Sequence, residues 1–261
     1  MEQSTFKYGG AADRRHESLE KKARIIMKYE AILFDLDGTL LPMDNDYFLK
    51  GYFHLLAQVG IDCGYKEAVF LDAMNQGVYA AVTNDGSCTN EKRFWKTAAK
   101  LLGKELHDHK DKFEWFYHND FHQARRFTEP TGMAKQAVEL ARTKAEKLVL
   151  ATSPLFPTAG IYSRMEWAGL RPDQFDWITD YSNSCTCKPN PQYYKEIADK
   201  LKLDTKKCLM IGNNVQEDMM AASSVGMDVF LVTDCLINRT GEEVDYPQGS
   251  FEAMMEFLKK L

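Results

Sequence analysis

Long apolar runs are missing from this 261-residue chain, and so is an excess of positive charge. No segment approaches the roughly 20 apolar residues that a membrane span needs, and residues 1–28 lack the apolar stretch of a secretion signal. The formal net charge of −5 argues against a nucleic-acid-binding protein, although a local basic pocket can still hold a small anion. We therefore expect a cytoplasmic protein that contacts neither membranes nor nucleic acids.

Cysteine is also sparse, with six residues scattered along the chain: Cys63, Cys88, Cys185, Cys187, Cys208 and Cys235. Without a secretion signal, such cysteines are expected to be reduced thiols rather than a disulfide framework. Hydrophobic residues make up 44% of the chain and charged residues 27%, which are ordinary values for a soluble globular protein. The length suffices for one large domain, or for a core domain with a smaller domain inserted into it.

The stretch around which the chain is organised is a short apolar run that ends in Asp35-Leu36-Asp37-Gly38-Thr39. Four to eight apolar residues followed by a turn signal indicate a buried strand, and Gly38 supplies the tight reversal. Residues two apart on a strand point to the same side, so Asp35 and Asp37 should lie close together at its carboxyl end. Open α/β sheets bind their ligands there. Two carboxylates this close repel each other unless a cation or a shared proton intervenes, so the stretch predicts a metal site.

The pattern along the chain predicts an α/β fold, with a doubly wound, mostly parallel sheet and an inserted α-helical domain. Residues 1–26 look like an N-terminal extension. Residues 27–42 and 131–261 alternate between strand and helix patterns and form the predicted core. Residues 43–130 contain helical patterns and almost no strand signal, which predicts a helical insertion directly after the first strand.

Three of the predicted helices have bounds that the structure can test. Apolar residues recur at helical spacing over 47–59, and Gly60 is expected to end that helix. An aromatic-rich helix is expected over 111–127. A further helix is expected over 217–225, closed by Gly226.

Four predicted strands lead into polar side chains, and parallel strands would bring these side chains to one edge of the sheet: Asp35, Asp37, Thr152, Lys188, Asn213 and Asp218. This set resembles the four motifs of the haloacid dehalogenase-like (HAD) hydrolase superfamily over roughly residues 27–235. The first motif matches Asp35-x-Asp37-Gly38-Thr39, the second Thr152, the third Lys188-Pro189, and the fourth Gly212-Asn213 with Asp218. An insertion between the first two motifs is what this family calls a C1 cap.

The resemblance implies phosphoryl transfer through an aspartyl-phosphate. Asp35 would be the nucleophile, and Asp37 the general acid and then the base for the hydrolytic water. Thr152 would donate a hydrogen bond to a phosphoryl oxygen. Lys188 would keep Asp35 ionised and neutralise the transferring group.

The resemblance also implies a Mg²⁺ cofactor, held by Asp35, the backbone carbonyl of Asp37, and the pair Asn213 and Asp218. Asn213 departs from the family, which usually has an aspartate there. An asparagine keeps a carbonyl oxygen but loses a charge, so we expect weaker metal binding rather than an inactive site. Glu217 is an alternative source of the missing charge.

The leading hypothesis is therefore a Mg²⁺-dependent phosphatase that hydrolyses a small phosphorylated metabolite. A phosphomutase of the same superfamily is the first alternative. A dehalogenase fits less well, because that branch lacks the second aspartate, present here as Asp37. A catalytically weak binding protein is a further alternative, suggested by Asn213. A role in substrate selection is also considered for the loop 83–90, with Lys92 and Arg93 as candidate anion contacts.

Overall fold

The computed structural model describes residues 27–241 and 243–261, so the predicted N-terminal extension lies outside the described residues. In these residues a parallel sheet of six strands has the order β3-β2-β1-β4-β5-β6. This order reverses beside β1, as in doubly wound folds. The predicted α/β fold is confirmed. The strands are β1 (Tyr29–Phe34), β2 (Ala145–Leu150), β3 (Trp177–Ile178), β4 (Cys208–Gly212), β5 (Asp228–Val232) and β6 (Gln248–Gly249).

Between β1 and β2 the chain forms helices and no strand of the sheet. Side-chain caps start two of these helices: Asp44 accepts a hydrogen bond from the backbone N–H of Tyr47 at 2.9 Å, and Thr89 from that of Lys92 at 3.4 Å. The helices are α1 (Asn45–Asp62), α2 (Glu67–Val82), α3 (Asn90–Leu102) and α4 (Lys110–His118), with 3₁₀ segments at Lys104–His109 and Asp120–Phe127.

The remaining helices cover both faces of the sheet. Along β1, Ile32 and Phe34 point into one apolar cluster and Ala31 and Leu33 into another, and all four side chains are fully buried. Strands covered on both faces are continuously apolar, as this one is. The helices are α5 (Met133–Arg142), α6 (Thr158–Trp167), α7 (Gln192–Leu201), α8 (Ala221–Ser224) and α9 (Phe251–Lys259). Helices α5, α6 and α9 and the insertion contribute to the cluster of Ile32, and α7 and α8 contribute to the cluster of Leu33.

Two expected helices have the wrong bounds: the first is longer than expected, and the second is broken into two segments. Helix α1 does not end at Gly60 but continues to Asp62. Gly60 is buried inside it, where a Cβ atom would lie 2.4 Å from the ring of Phe70, so this glycine permits close packing rather than a turn. The single helix expected over 111–127 is broken at Asn119, whose side-chain amide donates to the carbonyl of Trp115 at 2.8 Å.

The helix expected over 217–225 begins earlier, as a π-helical turn at Val215–Met220 that leads into α8. The Oδ1 atom of Asn214 accepts from the backbone N–H groups of Gln216 and Glu217, both at 3.1 Å. The backbone N–H of Asn214 in turn donates to Asp218 at 3.0 Å. These side-chain bonds fix the first turn in a widened form, which apolar spacing does not reveal.

One buried asparagine joins the insertion to the core. The amide nitrogen of Asn90 donates to the carbonyls of Pro154 at 3.2 Å and Thr186 at 3.1 Å. Its backbone N–H donates to the carbonyl of Ser184 at 2.9 Å. The start of α3 is therefore fixed to two core loops, one after β2 and one before α7.

All six cysteines are free thiols, as the sequence predicts. Within the described residues, every helix falls short of the length and apolar character that crossing a lipid bilayer requires.

Candidate active site

The two aspartates lie directly past the carboxyl end of β1. The backbone N–H of Asp35 still bonds to the carbonyl of Ile211 at 2.9 Å, which extends the pairing of β1 with β4. The chain then reverses at Gly38, whose φ of +83° suits a residue without a side chain. A Cβ atom there would lie 2.2 Å from the amide nitrogen of Asn213, so Gly38 also makes room for a side chain of the fourth motif.

Lys188 bridges two carboxylates that are far apart in the chain. Its Nζ atom lies 2.9 Å from Oδ1 of Asp35 and 2.6 Å from Oδ1 of Asp218, and its side chain is 1% exposed. Burial lowers the pKa of Lys188, but the two carboxylates outweigh it and raise that pKa well above the usual value. The lysine is therefore a fixed positive charge at the sheet edge.

Asp218 uses both of its oxygens within the protein. One accepts from Lys188 and the other from the backbone N–H of Asn214 at 3.0 Å. A Cβ atom at Gly212 would lie 2.2 Å from this carboxylate, so the glycine before Asn213 is also needed for close approach. Burial raises the pKa of Asp218 to about 7, and the charge of Lys188 opposes that rise.

Asn213 presents its carbonyl oxygen to the site. Its Oδ1 atom accepts from the hydroxyl of Thr39 at 3.1 Å, and that hydroxyl lies 3.3 Å from Oδ2 of Asp35. Its Nδ2 atom donates to the carbonyl of Cys235 at 2.6 Å. The amide is thereby held with its acceptor toward Asp35, the orientation that a metal ligand needs.

Thr152 lies two residues past the end of β2 and is buried. Its backbone carbonyl accepts from the hydroxyls of Thr179 at 2.7 Å and Tyr193 at 2.9 Å. These bonds fix the loop while its side chain lines the same cavity as Asp35.

Sequence reasoning missed Arg164, which reaches Asp37 from α6 and forms a buried ion pair with it. The guanidinium also donates through Nε to the carbonyl of Gly160 at 3.1 Å and lies 4.0 Å above the ring of Phe156. Burial raises the pKa of Asp37, and Arg164 opposes that rise. An arginine amid the apolar positions of a core helix is the signal that could have identified it.

A second contact was also missed. The hydroxyl of Ser153 donates to Oε2 of Glu217 at 3.0 Å, and both residues line the same cavity as Asp35. The backbone carbonyl of Glu217 accepts from the hydroxyl of Tyr194 at 2.9 Å. Glu217, the alternative source of the negative charge that Asn213 lacks, is thus at the site.

These groups line a cavity of about 70 Å³, formed by Asp35, Asp37, Asn45, Thr152, Ser153, Asn213, Asn214, Glu217, Asp218 and Ile237. Four of these residues carry a carboxyl group, Asp35, Asp37, Glu217 and Asp218, so the cavity is rich in the oxygen ligands that Mg²⁺ prefers. The volume exceeds what a single water needs, so an ion with bound waters fits. Among the described residues no three Asp, Glu, His or Cys side chains converge as a metal site, so neutral oxygens must contribute ligands.

Arg93, considered in the sequence analysis as an anion contact, uses its guanidinium within the loop 83–90. The guanidinium of Arg93 bonds to three side chains of the loop itself: Asn84 at 3.1 Å, Asp85 at 2.5 Å and Ser87 at 2.8 Å. The arginine therefore holds the loop together and is already engaged. Lys92 is exposed.

Comparisons with known proteins agree with this geometry. The family model for haloacid dehalogenase-like hydrolases matches residues 29–226. A comparison with curated protein sequences finds no match. The chain belongs to the haloacid dehalogenase-like hydrolase family. It is therefore a hydrolase of that family, with the parallel core that the family shares.

Several solved structures share the fold at low sequence identity. A predicted phosphoglycolate phosphatase from Haemophilus somnus is 19% identical, with 89% of this chain and 99% of that chain covered and a TM-score of 0.55. A 2-haloacid dehalogenase from Pseudomonas syringae is 16% identical, with coverages of 89% and 99% and a TM-score of 0.58. A HAD-hydrolase from Bacillus subtilis, YfnB, solved with magnesium, is 17% identical, with coverages of 88% and 99% and a TM-score of 0.52.

Proposed function

We propose that this hydrolase is a Mg²⁺-dependent phosphatase that cleaves a small phosphomonoester through a phosphorylated Asp35. The observation that carries the proposal is the pairing of Asp35 with the buried ammonium of Lys188, at 2.9 Å, with a second aspartate two residues further along. A carboxylate nucleophile beside a fixed cation, with an acid–base group next to it, suits attack on an anionic phosphorus centre.

Lys188 supports the ionised form of Asp35, so one carboxylate oxygen can attack the phosphorus. The bond from phosphorus to the leaving oxygen breaks as the new bond to Asp35 forms. Thr152 and Lys188 stabilise the phosphoryl oxygens at this stage, because both line the space next to Asp35.

Asp37 supplies a proton to the leaving oxygen. Its Oδ2 atom is paired with Arg164, and its Oδ1 atom is buried with no hydrogen-bond partner in the described part of the chain. Because burial raises the pKa of this carboxyl, Oδ1 is suited to hold the proton. In the second half-reaction Asp37 takes a proton from water as that water attacks the phosphorus and releases Asp35.

The oxygen-rich cavity fits Mg²⁺. Asp35, Asn213 and the backbone carbonyl of Asp37 would hold it, with waters completing the coordination. Asp218 accepts one hydrogen bond on each oxygen, from Lys188 and from Asn214, and each oxygen keeps a further lone pair for a metal; Glu217 is the other nearby carboxylate. The ion would supply charge neutralisation for the phosphoryl oxygens. The solved YfnB structure described as bound to magnesium supports this choice of metal.

Residues 43–130 are proposed as a C1 cap over the core formed by residues 27–42 and 131–261. The insertion leaves the sheet directly after the Asp35 segment, so its helices lie beside the site. Such a cap would exclude bulk water while the phosphoryl group is attached to Asp35.

The test is phosphate release from p-nitrophenyl phosphate with and without Mg²⁺. We expect Mg²⁺-dependent turnover that falls roughly 10³-fold or more in Asp35→Asn. The matched control is Asp46→Asn, since Asp46 is an exposed aspartate of α1 and should not matter. Activity of Asp35→Asn within tenfold of wild type would refute the nucleophile. No turnover by the folded, Mg²⁺-loaded wild type would favour a binding protein, and isomerised sugar phosphate without phosphate release would favour a phosphomutase.

A further inference from the structure

An apolar pocket of about 380 Å³ lies between the helices of the insertion and the loop after β2. Six aromatic side chains of its wall come from α1, α3 and α4: Tyr52, Phe53, Phe94, Trp95, Phe113 and Tyr117. A pocket of this size and lining suits an organic group rather than an ion or a sugar, because few polar groups face it.

This pocket adjoins the catalytic cavity through a second space of about 460 Å³. Asp37 and Lys188 line one end of that space, and Leu155 and Phe156 line both it and the aromatic pocket. The guanidinium of Arg164, the partner of Asp37, also lies over the ring of Phe156. The intermediate space is therefore bordered by Asp37, the proposed acid–base group, and by Leu155 and Phe156 of the aromatic pocket.

The polar groups of the pocket are neutral or balanced. The hydroxyls of Tyr52 and Tyr117 are 2.7 Å apart and bond to each other. Burial raises the pKa of Tyr52 to about 12, so this phenol presents an uncharged ring. The charged and titratable side chains of the wall are Glu91, Glu114, Lys110 and His118, which give no excess of positive charge. Lys110 is cationic, but Glu91 and Glu114 outweigh its charge, so the wall as a whole disfavours a second anionic group on the substrate.

The geometry points to a substrate whose leaving group is an apolar alcohol, alkyl or aryl, seated in the aromatic pocket while its phosphate lies between Asp35 and Lys188. This inference rests on the proposed phosphatase activity and narrows its substrate class to hydrophobic phosphomonoesters. The leaving oxygen lies next to Asp37, and the apolar body passes Phe156.

The test compares butyl phosphate with octyl phosphate, which share a primary alkoxide leaving group and differ only in apolar length. If the pocket buries the four extra methylenes, kcat/KM for the octyl ester should exceed that for the butyl ester on the order of a hundredfold. Val78→Trp fills the pocket from α2 and should reduce this ratio to near one. Val69→Trp is the matched control, because Val69 is on the same helix but 49% exposed and outside the pocket.

A second measurement does not depend on turnover or on the variant folding. Calorimetric titration with 1-octanol, which has no phosphate, should show saturable binding to wild type. Phosphate release from both esters at equal kcat/KM, with no octanol binding, would overturn the apolar subsite while leaving the phosphatase proposal in place. Octanol binding without phosphate release from either ester would overturn the phosphatase proposal and leave the pocket's preference for apolar groups.

Discussion

Arg164 and Asp37 form an ion pair in which one atom on each side remains unsatisfied. The arginine side chain is 1% exposed and that of the aspartate 21%, and both Nη2 of Arg164 and Oδ1 of Asp37 are buried with no hydrogen-bond partner in the described residues. Buried polar atoms without partners are costly, so their presence together is informative. Asp37 lines the catalytic cavity, where a leaving oxygen or a water would satisfy its Oδ1 atom.

The first prediction concerns this pair. Replacement Arg164→Gln removes the charge that opposes the raised pKa of Asp37, so that pKa should rise further and the Asp37-dependent limb of the kcat/KM profile should move to higher pH. The free energy of unfolding should fall by about 3 kcal/mol, because breaking a buried pair leaves an uncompensated charge. Arg164→Lys should recover part of the profile.

The control for this prediction is Arg142→Gln. Arg142 pairs with Asp176 at 2.7 Å, but the two side chains are 40% and 37% exposed. Its loss should cost less than about 1 kcal/mol and leave the pH profile in place. Identical pH profiles for wild type and Arg164→Gln would contradict the effect of Arg164 on the pKa of Asp37.

A second prediction concerns Asn213→Asp, which supplies the charge that the family usually has. The Mg²⁺ affinity should increase, because a carboxylate replaces a neutral amide oxygen next to Asp35. The metal-free protein should lose about 1–3 kcal/mol of stability, because Nδ2 no longer donates to the carbonyl of Cys235. Thermal unfolding with and without Mg²⁺ measures both effects. An unchanged metal-induced shift in Tm would mean that this side chain is remote from the ion.

A third prediction concerns Lys188→Met. Asp35 and Asp218 would then have no cation between them, and the pKa of Asp218, which burial raises and Lys188 opposes, should rise further. A carboxyl with a raised folded pKa binds its proton more tightly when folded, so stability should increase as the pH falls from the raised value toward about 4. Tm at pH 5 and pH 8 measures this.

The matched control is Lys207→Met. Lys207 pairs with Glu30 at 3.0 Å, but its side chain is 58% exposed. We expect no comparable gain in stability at acidic pH from this surface pair. A Lys188→Met protein that is no more stable at pH 5 than at pH 8, relative to wild type, would argue against the buried bridge.

A fourth prediction tests the packing of the insertion. In Gly60→Ala the new methyl would lie 2.4 Å from the ring of Phe70, so the unfolding free energy should fall by about 1–3 kcal/mol despite the better helix propensity of alanine. Gly132→Ala is the comparison, because nothing lies within 4 Å of a Cβ atom there. Urea denaturation of the two variants measures the loss of unfolding free energy. Equal midpoints would contradict the close contact between Gly60 and Phe70.

The sheet could be predicted because local patterns determine it. The continuous apolar run that includes Leu33 is typical of a strand covered on both faces of a parallel sheet. Its abrupt end at Asp35 marks the end of that strand. The strand ends bring Lys188 to the same sheet edge as Asp35, 153 positions earlier in the chain, but its role beside Asp35 came from the resemblance to a family.

Other features depended on contacts that spacing does not encode. Gly60 carries the usual signal of a helix end, yet its role is set by the ring of Phe70 on another helix. Asn119 breaks a helical pattern through its own side chain. Arg164 could be recognised as unusual on an apolar helix, but its partner Asp37 follows only from the way α6 packs beside the sheet.

Asn90 gives the fold a further property. Its amide holds the carbonyl of Pro154, two residues after Thr152, and that of Thr186, two residues before Lys188. A displacement of α3 therefore pulls on both loops at once, through one side chain. The insertion and the two core loops that carry Thr152 and Lys188 are thus joined at one point.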